Sequence, residues 1–136
     1  MVWGLTQQNG DVTVFARNLE KGSLLAKQFH VNAQSLIGAC FRGFDVVVNA
    51  TVLGMSGKHE RDTPATADQL RGARAAYDLV YNPSQTRFLN EALAAGCEAI
   101  GGLDMLVAQA GEQYKLWTGA DAPEPVMKEA AIRALS

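Results

Sequence analysis

Gly101-Gly102-Leu103-Asp104-Met105-Leu106-Val107-Ala108-Gln109, together with Asp78-Leu79-Val80-Tyr81-Asn82-Pro83 about one helix earlier, carries the fold of this chain. Each is the end of a short apolar run passing into a helical pattern, which is how a strand feeding a helix looks in sequence. In a parallel sheet with crossover helices, ligands bind outside the carboxyl ends of the strands, so the residues just after each strand come first as site candidates. The two stretches put Tyr81 and Gln109 in such places.

Working outward, β-branched or apolar runs at 12–15, 46–49, 75–80 and 98–100 alternate with helical patterns, the sign of βαβ units and a parallel sheet. Asn18 is placed to cap a helix running to Phe29, with Leu24, Leu25 and Phe29 at helical spacing. Residues 33–41 read as a second, shorter helix. Asn82 reads as the N-cap of the next helix, with Pro83 at its first position and Gln85 completing the cap. Phe88, Leu89, Ala92 and Leu93 face inward, and Gly96 stops it. A helix over 103–117 carries Leu103, Leu106, Val107, Ala110, Tyr114 and Trp117 on one stripe. Gly119 and Pro123-Glu124-Pro125 break it, and a last helix spans 126–135. Residues 56–64 form the one long polar loop.

At 136 residues the chain is sized for one domain with one core. A net charge of −2 with dispersed Lys and Arg gives no electrostatic footprint for nucleic acid or an anionic membrane. No apolar run is long enough to span a bilayer and no signal sequence is seen, so a cytoplasmic protein is expected. Cys40 and Cys97 lack metal-ligand spacing and read as structural. His30 and His59 have no carboxylate or serine at a suggestive spacing. No paired-carboxylate, metal-ligand or nucleophile-elbow pattern is present, so neither a catalytic residue nor a metal site is expected in this chain.

After the first strand, an acidic residue would favour NAD, whereas arginine suits the extra phosphate of NADP. The chain has Arg17, with Lys21 one helical turn on. A guanidinium forks onto phosphate oxygens, and a helix N-terminus adds backbone donors. As an isolated pair the two read more readily as solvated surface charges. Tyr81 alone reads equally as a packed ring with a wet hydroxyl. Gln109, about 120° around its helix from the centre of the apolar stripe, reads either as facing a cleft or as an ordinary exposed glutamine.

Val46-Val47-Val48-Asn49-Ala50-Thr51-Val52-Leu53-Gly54-Met55, Thr63-Pro64, Asp78-Leu79-Val80-Tyr81-Asn82-Pro83 with Thr86, and Gly102-Leu103-Asp104-Met105-Leu106-Val107-Ala108-Gln109-Ala110 with Trp117 and Gly119 resemble the shikimate dehydrogenase family in order and spacing over most of the chain. They resemble its C-terminal, NADP-binding half. The resemblance implies an α/β, Rossmann-like parallel sheet with helices on both faces, and residues 1–136 as a single NADP-binding domain fragment with C-terminal helices. It implies NADP as cofactor and a shikimate-like small molecule as substrate. Arg17, Asn18 and Lys21 match the segment that holds the adenosine 2′-phosphate, although Ala16 stands where the family carries asparagine and Asn18 where it carries threonine. Thr51 matches the turn beside the cofactor, Leu79, Gly102 and Met105 match positions lining the nicotinamide, and Tyr81 and Gln109 match the residues by which this half touches shikimate.

The family's first strand, its glycine-rich phosphate loop and its catalytic lysine and aspartate have no counterpart here, and Met1-Val2-Trp3-Gly4-Leu5 resembles the middle of the helix after that loop. The chain therefore reads as truncated on its N-terminal side, with the missing half or another protein copy as partner. In the order 3-2-1-4-5-6 the first strand is central, so its loss separates the strand at 12–15 from that at 46–49. The strand at 12–15 is then expected to pair in a non-family way, to borrow a neighbour from another copy, or to be poorly ordered. The function expected is that of the cofactor-binding portion of an NADP-dependent shikimate dehydrogenase. The alternatives are a non-catalytic binding or assembly module and a quinate/shikimate dehydrogenase relative.

Overall fold

The computed structural model describes residues 1–135. Met1–Cys40 form one compact unit and the chain from Phe41 onward forms a second.

The first unit holds α1 (Val2–Gln7), β1 (Thr13–Ala16), α2 (Leu19–Phe29) and β2 (Asn32–Ser35). The strands pair in parallel, with Thr13 opposite Asn32 and Ala16 opposite Ser35. Asn18 opens α2 as expected, its Oδ1 accepting from the Lys21 amide at 3.0 Å. Glu20 in the first turn and Lys27 in the last both suit the helix dipole. His30 ends the helix in the left-handed region (φ 55°), turning the chain back along β1. The buried face of α2 is Gly22 and Ala26, not the expected leucines, for Leu24 is 64% exposed. Small residues win because the helix lies close on its strand: a Cβ on Gly22 would stand 2.8 Å from that of Ala16.

The second unit holds β3 (Val46–Asn49), α3 (Ala67–Leu70), β4 (Ala75–Asp78), α4 (Arg87–Ala94), β5 (Glu98–Ile100), α5 (Leu103–Thr118) and α6 (Glu124–Leu135). Its sheet is parallel in the order β3-β4-β5. Phe88, Leu89 and Ala92 of α4 pack on β4 and β5 with Leu70, Ala75, Ala76 and Cys97 to make the core. Burying aliphatic and aromatic side chains at about 25 cal/mol per Å² is the main force holding such a layer together.

Several expectations are corrected. Residues 33–41 do not form a helix; β2 takes 32–35, alternating exposed and half-buried residues, because β1 has a ladder to fill. The strand at 12–15 therefore finds an ordinary intrachain neighbour in β2. The helix expected from Asn82 begins at Arg87, capped by Thr86. Pro83 lies in the loop before it, since the Thr86 hydroxyl, not Asn82, accepts the first-turn amide, that of Leu89. Leu93 is exposed, and of the α5 stripe only Val107 is buried, the other buried residue of that helix being Gly111, with Trp117 78% exposed.

As expected, β1 does not pair with β3: β1-β2 and β3-β4-β5 are two distinct sheets. The Ala75 amide donates to the Asp45 carbonyl and the Leu79 amide to that of Asn49, so in the parallel ladder Val47 and Asn49 bond toward β4. Val46 and Val48 direct their backbone groups to the other edge, where no strand of the described residues pairs. Val46 is 47% exposed there.

Candidate functional site

The site grows from two strand ends. Asn49 closes β3 and is buried. Its Oδ1 accepts from the Thr51 amide at 3.1 Å and the Thr51 hydroxyl at 2.7 Å, while its Nδ2 donates to the Leu53 carbonyl at 3.0 Å. Thr51 Oγ1 in turn accepts from the Leu53 amide at 3.1 Å. Asparagine winds a turn in this way by standing in for backbone partners.

One strand over, Asp78 closes β4 with its carboxyl fully buried. Asn49 Nδ2 at 2.9 Å and the Val80 amide at 3.0 Å donate to its Oδ1, and Thr86 Oγ1 donates to its Oδ2 at 2.5 Å. Thr86 Oγ1 also accepts from the Leu89 amide at 3.2 Å, capping α4. A buried carboxyl without such donors would cost several kcal/mol.

Beyond these ends lies an open pocket of about 270 Å³ lined by Met55, Ser56, Leu79, Val80, Tyr81 and Asn82. Its two loops are joined, since the Ser56 amide donates to the Asn82 carbonyl at 2.9 Å and the Ser56 hydroxyl to Asn82 Oδ1 at 3.1 Å. Tyr81 is partly exposed, and its hydroxyl has no hydrogen-bond partner among the described residues.

Gly102, buried at the start of α5, lies against the Leu79 and Asp78 carbonyls. Met105 follows half-buried, and Gln109 four residues later is exposed, on the same helix face and without a hydrogen bond among the described residues. Asp104 in the first turn pairs with Lys128 of α6. Burial, with the Asp104 carboxylate adding to it, pushes the Tyr77 phenol above its ordinary range.

Of the sequence-selected residues, Leu79 and Tyr81 share the pocket wall, Thr51 belongs to the turn hydrogen-bonded to that wall's strand, and Gly102 packs on Leu79. Met105 and Gln109 are on α5 but do not line the pocket. Arg17, Asn18 and Lys21 belong to the first unit, at the carboxyl end of β1 and the N-terminus of α2. Both basic side chains are exposed, and neither has a carboxylate partner among the described residues. Sequence reasoning missed Ser56 and Asn82 in the pocket and the buried pairing of Asp78 with Thr86. The available signal was an aspartate closing an otherwise apolar strand. Among the described residues no group of three or more His, Cys, Asp or Glu is placed to hold a metal, and no helix is long and apolar enough to cross a membrane.

Parallel strands with crossover helices and a pocket at their carboxyl ends define a Rossmann-like α/β protein. The model of the shikimate 5′-dehydrogenase C-terminal domain matches residues 102–132. The NADP(+) shikimate dehydrogenase of Methanosarcina acetivorans is 37% identical over 140 residues, covering 96% of this chain and 50% of that protein. That of Oleidesulfovibrio alaskensis is 43% identical over 115 residues, covering 83% and 41%. The crystal structure of shikimate 5-dehydrogenase from Thermus thermophilus in complex with NADP(H) and shikimate superposes with a TM-score of 0.89 at 36% identity, covering 99% of this chain and 50% of that one. The chain belongs to the shikimate dehydrogenase family, matching its C-terminal half, and spans about half the length of the curated relatives it matches.

Proposed function

We propose that this chain is the cofactor-binding part of a cytoplasmic, NADP-dependent shikimate dehydrogenase, which interconverts 3-dehydroshikimate and shikimate on the route to aromatic amino acids. The observation that carries this is the pocket wall of Leu79 and Tyr81, tied through Asp78 and Asn49 to the Thr51 turn. Those residues match the family's nicotinamide and shikimate positions.

The residues fit the cofactor. Arg17 and Lys21 are exposed cations without carboxylate partners beside a helix N-terminus, a setting that suits a phosphate. Asn18 supports them by fixing the first turn of α2. NADP, when bound, supplies the hydride acceptor or donor. Thr51, Leu79, Gly102 and Met105 are the residues that would hold its nicotinamide end. Tyr81 and Gln109, whose polar groups are unpartnered, orient the hydroxyl and carboxylate groups of a shikimate-like substrate. Among the described residues the pocket lining holds no His, Lys, Asp or Glu. The partner is the family's N-terminal half or another protein copy, and the open edge of β3 is where a further strand would pair.

Titration of the isotopically labelled chain with shikimate in the presence of NADP tests this reading. The Leu79, Val80 and Tyr81 amide resonances are expected to shift, and Tyr81→Phe to weaken binding about tenfold, the loss of one hydrogen bond in a desolvated site. Saturable binding with those resonances unmoved contradicts it.

A further inference from the structure

We propose that Asp78 is the positioning residue of this site: its buried carboxyl holds the Thr51 turn and the Tyr81 wall in their binding arrangement before any ligand arrives. The proposal rests on the reading of the pocket as a ligand site.

The geometry is specific. One carboxyl oxygen takes donors from two strand ends, Asn49 Nδ2 of β3 at 2.9 Å and the Val80 amide just past β4 at 3.0 Å. The other takes the Thr86 hydroxyl at the head of α4 at 2.5 Å. Val80 precedes Tyr81, and Asn49 carries the turn in which Thr51 is bound by backbone and hydroxyl alike. Three segments of different sequence position, residues 49–53, 78–81 and 86–89, are thus joined through one side chain that touches no solvent. The buried side chains of the group all have hydrogen-bond partners, so no local rearrangement gains a bond to offset one lost. A carboxyl is required because all three neighbouring groups donate: Thr86 Oγ1 already accepts from the Leu89 amide, so its proton is directed to Asp78.

Asp78→Asn tests the claim, with Thr86→Val and Thr86→Ser beside it, all measured in the full chain at a temperature where circular dichroism shows each variant folded. An asparagine at position 78 leaves one of the three donors without an acceptor; valine at position 86 removes a donor, leaving Asp78 Oδ2 without the hydroxyl and the Leu89 amide without its acceptor, whereas serine at position 86 retains both bonds. Expected for Asp78→Asn and Thr86→Val are displaced amide resonances at Thr51, Leu53, Val80 and Tyr81, unmoved ones at Ala75, Ala76 and Ala92, and shikimate binding weakened at least tenfold. Thr86→Ser should stay within twofold of the parent. Asp78→Asn folded, with the turn resonances in place and affinity within twofold, overturns the proposal. If Asp78→Asn does not fold, the Thr86 pair decides by the same criteria. If the parent chain binds neither NADP nor shikimate, the functional reading fails, and the resonances alone decide the positioning claim.

Discussion

Gly102 packs directly on the carbonyl of Leu79: a Cβ there would lie 2.7 Å from the Leu79 oxygen and 2.9 Å from that of Asp78. The start of α5 and the end of β4 are therefore fitted backbone to backbone, with no flexible side chain between them to yield. Its φ of −79° is open to any residue, so the requirement for glycine at this position is one of space. Gly102→Ala should cost about 1–3 kcal/mol, the range for overpacking a fitted contact. Urea denaturation checks this, and an unchanged midpoint and slope would show that the two segments part without cost.

Gly22 poses the same question inside a helix. Replacing an exposed helical glycine by alanine gains roughly 1 kcal/mol of helix propensity. Here the new methyl would meet the Ala16 Cβ at 2.8 Å, a contact that cannot rotate away. Gly22→Ala should therefore destabilise the first unit, and adding Ala16→Gly should recover part of the loss. Thermal melts of the single and double variants decide the sign.

Cys97 makes stability fall in alkali. Its thiol is 5% exposed and lies 3.5 Å from the Leu70 carbonyl and 3.3 Å from that of Ala73, and burial raises it above the ordinary 9.0. Below that value the thiol is neutral in folded and unfolded chains, and the contribution is whole. As pH rises past it, the unfolded chain loses its proton first, so stability declines by up to about 1.4 kcal/mol per pH unit until the native thiol also ionises. Tyr77 adds a similar loss above its ordinary 10.0. Denaturation midpoints from pH 7 to 10.5 should fall, and Cys97→Ala should flatten the part beginning near pH 9.

The parallel strands at 46–49, 75–78 and 98–100 were legible because alternating apolar runs and helical patterns leave few other folds. Asn18 was legible as a cap because its chemistry is local. The strand at Asn32–Ser35 was not: nothing in Asn-Ala-Gln-Ser favours a strand, and only the ladder offered by β1 makes it one. Asn82-Pro83-Ser84-Gln85 has the composition of a helix start, but Asn82 accepts from the distant Ser56 hydroxyl and Thr86 takes the first-turn amide of α4, which no local pattern shows. Tyr81 and Leu79 could be placed at a strand end from sequence. The Asn49–Asp78–Thr86 connection could not, since its members lie 29 and 8 residues apart and only the sheet register brings them together.

The central claim, that the chain takes NADP through the phosphate its Arg17 and Lys21 would meet, is tested most directly by calorimetric titration with NADP and with NAD, repeated on Arg17→Ala. Hydrogen bonds to charged groups contribute about 1.5–3 kcal/mol, so NADP should bind roughly 10- to 100-fold more tightly than NAD, and Arg17→Ala should remove most of that preference while leaving NAD affinity unchanged. Equal affinity for the two nucleotides in the parent chain, or a preference for NADP that survives Arg17→Ala intact, would contradict it.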